Sequence, residues 1–431
     1  MNGQGPIFWI FIAAMLVSAA LKWSLAALNI GHLRKNAGRV PEGFEGEIDA
    51  GTLSRMSRYT AENSRFSSLE SLFGSGLILA AVLSGLFPRL SARIDAAGLH
   101  PVASGLVFFG IVGIAGALLD IPFEAYRTFR IERKYGFSTI TAKIWTADLL
   151  KGFLVSAVLL VLLLTPLLFL IRYSDLWWLF SWAFIIAFQI LALWLYPVVI
   201  APLFNKYEPV RDESLREEII ALSRKGGIHV EGVYQVDAAK RSRHSNAYFT
   251  GLGRTKRIVL FDTLLASHSG AEILAVLAHE IGHWTRKHVL KQIAYFSAVS
   301  LLLFFLASLL LRQPALYRDF GFGGTVPYAG LLLIGLLLQP LAFFLTPAGA
   351  AVSRKYEVQA DDESVRLLGG PEPLISALKR LAKDNLANLH PHPLFAGFYY
   401  SHPPLAGRIA RLRLHSPPNL IFLQEEVNYS P

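Results

Sequence analysis

The sequence predicts an all-α polytopic membrane protein of about seven transmembrane helices, interrupted by one polar segment with a small β element. Three observations carry this. Of 431 residues, 53% are hydrophobic and only 17% charged, which is too apolar for an ordinary soluble enzyme. Uncharged runs of about 20 residues recur, the length that crosses a hydrocarbon core. The formal charge of +10 is unevenly spread and fits the basic loops of a membrane protein's cytosolic face better than nucleic-acid binding. There are no cysteines, so disulfides and thiolate metal sites are excluded. Any zinc must be held by His and carboxylate.

The first span opens at Ile7 and runs to about Leu28. Nothing basic precedes it and no small-residue cleavage site follows, so it reads as a retained span, not a signal peptide. Lys22 interrupts it and must snorkel or face the protein interior. A polar stretch with a Val40-Pro41-Glu42-Gly43 break leads to a helix over Thr52 to Leu69. Ser71 to Phe87 is the second span, and Pro101 to Leu119, rich in small residues, the third. Basic residues follow from Arg127 to Lys134. Gly152 to Ile171 is a charge-free fourth span. Leu176 to Phe204 is the fifth, with Trp177, Trp178 and Trp182 as interfacial anchors.

From Asn205 to Gln292 the chain reads as soluble. Glu213 to Lys225 is an amphipathic helix; Gly232 to Val236 and Arg257 to Phe261 are short strands, with Asn246 to Gly251 a further strand or loop between them. A helix then runs to Lys291, and Gln292 to Leu311, the sixth span, is separate from it or its extension into the membrane. Tyr328 to Ala348 is the seventh. Polar helices follow near Glu357 to Leu368 and Pro373 to Lys383. With the N-terminus outside, only Arg89, Arg93, Arg172, Arg312 and Arg318 fall on the outer side, a sharp positive-inside bias. The expected divisions are 1–204, 205–291, 292–350 and 351–431.

Ala278-His279-Glu280-Ile281-Gly282-His283-Trp284 contains H-E-x-x-H. On a helix His279 and His283 leave the same face, so two imidazoles can hold one Zn²⁺ while Glu280 takes a proton from a water. The preceding AEILAVLA is rich in helix formers. A zincin-like site needs a third ligand, and Glu357 is the best candidate. Asp361, one turn on, either orients a zinc-bound histidine or shares in proton transfer. Asp362 and Glu363 read as a solvated face. Ser401-His402-Pro403-Pro404 offers His402 on a stiff turn to face a developing oxyanion, with Arg408 shortly after as a substrate contact. Asn246 sits where a peptide could add to a strand edge by main-chain hydrogen bonds. His268 and His288 flank the helix; His288, five residues past His283, is off the ligand face and reads as surface. Gly251-Leu252-Gly253 is too short for a phosphate loop.

From about Tyr59 to Arg411 the chain resembles the CAAX prenyl protease 1 family, most densely at Asp120 to Lys151, Asn205-Lys206, Asp237 to His288, Ser353 to Asp361 and Ser401 to Arg408. The resemblance implies seven membrane helices around a water-filled chamber, with one zinc on His279, His283 and Glu357 and Glu280 as base. It places Asp361, His402 and Asn246 at the active site as proton donor or substrate contacts. Its substrates would be prenylated CAAX proteins, or other membrane or misfolded proteins in bacterial relatives. Ser138 stands where the family has Asn, and Ala406-Gly407 is less bulky than usual; neither touches the metal. The alternatives are an HtpX-like quality-control protease, for which three spans are superfluous, and a catalytically idle scaffold or lipid-binding protein, which would be expected to lose a ligand. Expected partners are a peptide or protein and membrane lipids, with no nucleic acid. The site should face the cytoplasm, in a bacterial inner membrane rather than the endoplasmic reticulum because the chain is compact and lacks a retrieval signal.

Overall fold

The computed structural model describes residues 4–251 and 256–415; of the Gly251-Leu252-Gly253 stretch, Leu252 and Gly253 lie outside them. The membrane part begins with α1 (Pro6–Asn36), α2 (Ala50–Leu83), the short α3 (Leu86–Asp95) and α4 (Pro101–Tyr126). It continues through α5 (Ala142–Tyr173) and α6 (Trp177–Leu195). Next comes the polar segment, with β1 (Tyr207–Pro209), α7 (Glu213–Lys225), β2 (Gly232–Val236), β3 (Ala247–Thr250), β4 (Arg257–Phe261), α8 (Asp262–Ser267) and α9 (Gly270–Thr285). The chain then re-enters the bundle as α10 (His288–Leu311), α11 (Pro314–Asp319) and α12 (Pro327–Leu368). It closes with α13 (Glu372–Asp384), α14 (Pro393–Tyr399) and α15 (Leu405–Arg413). Among the described residues α1, α2, α4, α5, α6, α10 and α12 are long and apolar enough to cross a membrane.

Local chemistry sets the helix starts. Asp49, Thr141 and Asp212 accept from the backbone N–H groups of Thr52, Ile144 and Leu215, the orphan donors of a first turn. The start of α1 is satisfied from far along the chain: the buried Asp319 carboxylate accepts from Ile7 N at 3.1 Å. Lys22 takes the inward option, its Nζ lying 5.2 Å from the Phe343 ring of α12.

The spans form walls, not a solid bundle. Protein buries none of the most apolar stretch of the fifth span but 39% of that of α12, which makes α12 the central post. Ile10, Leu118, Leu154 and Leu302 are exposed, large apolar side chains on spans long enough to cross a membrane. One core joins Phe8 and Phe11 of α1, Phe108 of α4, Tyr317 of α11 and Leu333 of α12. Another sits under α9, where Leu277 and Ile281 meet Ile219 of α7 and Ile258 and Leu260 of β4. The sheet has order β1-β2-β4-β3; β2 and β4 run parallel, the other pairs antiparallel, and β3 is an edge.

Three boundaries differ from the sequence expectation. The helix over Thr52 to Leu69 and the second span are one helix, α2, and it ends at Leu83 before the left-handed Gly85, so Phe87 belongs to α3. The motif helix ends at Thr285, not Lys291, and α10 is not its extension. The seventh span and the Glu357 helix are continuous: α12 has 42 residues, roughly 63 Å at 1.5 Å per residue, so its last turns carry Glu357 and Asp361 out to α9. The three-residue β1 had no sequence signal.

Helices α9 and α12 touch at Gly282. A Cβ built there would lie 2.8 Å from Ala360 Cα and 3.0 Å from Glu363 Cβ. Gly282→Ala should force the helices apart, lowering stability by about 1–3 kcal/mol. Thermal unfolding in detergent would register this as a lower midpoint together with weaker zinc retention; an unchanged midpoint and zinc content would show that the contact is loose.

Candidate metal centre and active site

Helix α9 opens with a reciprocal capping box: Ser269 Oγ accepts from Glu272 N, and Glu272 accepts from Ser269 N. Ile273, Leu277 and Ile281 anchor one face in the core. The opposite face then delivers His279 and His283, one turn apart, toward α12.

Three side chains converge there. His279 Nε2 lies 3.2 Å from His283 Nε2 and 3.2 Å from Glu357 Oε2, and His283 Nε2 lies 3.3 Å from Glu357 Oε1. A tetrahedral zinc with bonds of about 2.0–2.1 Å requires ligand atoms about 3.3 Å apart. Each pair of side chains meets at that spacing, the two histidines through different Glu357 oxygens, and one ligand atom from each residue lies within 4.8 Å of the others, so the cluster can close on one cation. The donor chemistry fits as well. Asp361 Oδ1 sits 2.9 Å from His279 Nδ1, which must donate to it, so the lone pair of His279 is on Nε2. Glu357 Oε2 is buried with no hydrogen-bond donor. Lone pairs converging without a proton in a buried place call for a cation. The fourth direction is left to the open side, where the His402 ring lies with Nε2 3.3 Å from Glu357 Oε2 and Nδ1 2.9 Å from Ser401 Oγ.

Glu280 follows His279 but forms no hydrogen bond with the described residues, and burial pushes its carboxyl above the usual carboxylate range. A carboxylate that is under-solvated and unengaged is a ready proton acceptor.

Asp361 is fully buried. Arg408 grips it in a fork, Nε to Oδ2 at 2.8 Å and Nη2 to Oδ1 at 2.6 Å, and Arg411 Nη2 adds a contact at 3.2 Å. Of the two roles open to Asp361, this geometry matches the orienting one. Arg408, expected to reach substrate, is itself buried and turned onto Asp361. Asn246 lies exposed at the start of edge strand β3, its Oδ1 accepting from Ala247 N at 2.8 Å. That strand runs beside α9, with Phe249 and Trp284 in ring contact at 6.5 Å.

Two expectations need correcting. Glu363 is not solvated: it is buried beneath Gly282, paired with Arg366 and Arg286. His288 is not a surface residue: it is 1% exposed and its Nδ1 lies 3.1 Å from His283 Nδ1. Sequence reasoning also missed Arg411 and Gln359, which touch Asp361 and His288. Arg411 lies three residues after Arg408 on α15 and so shares its face, the one sequence hint of this; Gln359, two residues after Glu357, gave none.

Residues 29–206 match the family model described as CAAX prenyl protease N-terminal, five membrane helices, and residues 209–415 match peptidase family M48. CAAX prenyl protease 1 of Saccharomyces cerevisiae is 34% identical over 87% of this chain and 88% of its own. The human CAAX prenyl protease 1 homolog is 33% identical over 88% and 90%. The crystal structure of S. mikatae Ste24p superposes with a TM-score of 0.88 at 30% identity, covering 95% of this chain and 100% of that one.

Arg408→Met should strip the buried Asp361 of its two-pronged counter-ion and leave only the Arg411 contact, a loss of up to about 3–5 kcal/mol. Thermal melts of chelator-treated protein should show a large fall, and Asp361→Leu combined with Arg408→Met should recover much of it. If the single variant melts with the wild type, the pair is not buried as described.

Proposed function

The chain belongs to peptidase family M48, in its CAAX prenyl protease 1 branch, and is a multi-pass membrane zinc metalloendopeptidase with a chamber-forming fold; from that premise we propose which groups carry the reaction and what it cuts. His279, His283 and Glu357 would hold one Zn²⁺ per chain. When bound, zinc supplies an acidified water and a positive charge for the carbonyl oxygen. The observation that carries this reading is the triangle of 3.2–3.3 Å between those three side chains.

Glu280 takes the proton of the attacking water and passes it to the leaving amine, a role its unengaged, buried carboxylate suits. His402, on the open side, hydrogen-bonds the carbonyl oxygen as negative charge develops. Asp361 acts by holding His279 in one tautomer and orientation. Its oxygens are already taken by His279, Arg408 and Arg411, which argues against a part in proton transfer. Arg408 holds Asp361 in turn and leaves substrate contact to others. The outer edge of β3 takes the substrate main chain as an added strand, with Asn246 at its entrance.

The substrate we propose is a prenylated protein with a CAAX C-terminus, as the relatives' names indicate. The positive-inside distribution supports a cytosolic catalytic face. Helix α10 leaves the site at His288 and, 24 residues long or roughly 36 Å, ends beside Arg312 on the opposite side. In a bacterial inner membrane, which we favour, or in the endoplasmic reticulum, the same orientation holds.

Glu280→Gln should retain stoichiometric zinc yet cut roughly 10²–10⁴-fold more slowly, as befits loss of a general base. Normal turnover by this variant would exclude Glu280 as the base. Phenanthroline should stop the wild type and added zinc restore it. Two peptides identical except for a prenyl group on the Cys would then set the substrate class, with kcat/KM higher for the prenylated one. Equal cleavage of both would point to the quality-control alternative instead.

A further inference from the structure

We infer that His288 is a positioning residue for the metal ligand His283, aimed at it by a left-handed kink at Lys287; this rests on the metal-site reading above. On an unbroken helix a residue five places on is rotated about 140° from its starting direction, so His288 would face away from His283. The helix is broken instead. α9 ends at Thr285, Arg286 has φ −81° and ψ 0°, and Lys287 adopts φ +56° and ψ +34° before α10 starts at His288. Among the described residues only Lys287 and Leu386 combine a side chain with positive φ, a conformation that the Cβ disfavours. Such backbone needs the surrounding structure to hold it.

What it achieves is a return of the chain onto the site. His288 is 1% exposed, and its Nδ1 reaches His283 Nδ1 at 3.1 Å. Its ring stacks on Tyr356 at 4.2 Å with an interplanar angle of 11°. Its Nε2 lies 2.9 Å from Gln359 Oε1. Tyr356 and Gln359 belong to α12 and flank the third ligand, Glu357.

The direction of the hydrogen bonds follows. Gln359 Oε1 can only accept, so His288 carries its proton on Nε2 and offers a lone pair at Nδ1. His283 Nδ1–H donates to that lone pair, which leaves the lone pair of His283 on Nε2, toward His279 and Glu357. His288 therefore does for His283 what Asp361 does for His279. One ligand is oriented by a charged partner and the other by a neutral one, and both partners are tied to α12.

Zinc affinity, measured by competition with a chromophoric chelator on the purified full chain, tests this. His288→Phe keeps the ring stacked on Tyr356 but removes the acceptor; affinity should fall about 10–100-fold, the usual effect of losing such a partner. His288→Asn can place a carbonyl oxygen near the former Nδ1 and should stay within about threefold of wild type. Lys287→Gly should bind zinc normally and melt higher in the metal-free state, whereas Lys287→Val should bind as poorly as His288→Phe. Wild-type affinity in His288→Phe would overturn the proposal. Equal losses in the Phe and Asn variants, matched by lower metal-free stability, would do so too, because His288 would then be packing only. Failure of the underlying metal site is separately visible: His283→Ala would keep stoichiometric zinc.

Discussion

The close approach of α9 and α12 is the constraint on which the site depends. Two ligands leave one helix and the third leaves the other, so the three side chains close into a triangle, with pairwise contacts of 3.2–3.3 Å, only while the helix axes stay at a fixed short distance. Gly282 permits that distance by presenting no side chain to Ala360. Ser364 reinforces it, donating from Oγ to Ala275 O at 3.1 Å. Because interiors are packed densely, a displacement of less than a methyl group at this contact would open the triangle.

Around the triangle lies a shell of polar groups whose value is geometric. The buried Arg408–Asp361 pair has to offset the desolvation of two charges, so its net stabilisation is modest. What it secures is a single orientation for the imidazole of His279. The same helix, α12, supplies Asp361, Glu357, Gln359 and Tyr356. A single rigid element thus spans the membrane, donates a ligand and supports both histidines. Anything that tilts α12 moves all of these together.

The membrane walls follow another rule. A helix that faces lipid on one side and open space on the other has little protein to pack against, and the scarcity of buried residues in the fifth span reflects that. The apolar core at the far end, built from Phe8, Phe11, Phe108 and Tyr317, clamps the helices where they do not need to part. At the catalytic end the sheet and α13 to α15 take over, with the Asp148–Arg241 ion pair fastening the start of α5 to the polar segment.

The spans, α7, the strands β2 and β4 and the His-Glu-x-x-His face were legible in the sequence because each depends on a local period or on length against a hydrocarbon thickness. Glu357 was legible as a candidate only, since a carboxylate on a polar helix has no local mark that separates ligand from solvated charge. The extent of α2 was misread because serines and arginines interrupt its apolar pattern without interrupting its hydrogen bonds. The break at Lys287 left no trace, for a lysine is an ordinary helix residue and its left-handed conformation is imposed by what packs around it. Sequence by itself therefore determined the long spans, the main elements of the polar segment and the residues that carry chemistry, whereas short elements such as β1 and α3 had no pattern long enough to read. Tertiary structure alone decided that Asp361 and Arg408 face inward and that His288 meets His283, because those choices depend on how α9, α10, α12 and α15 pack and not on any one of them.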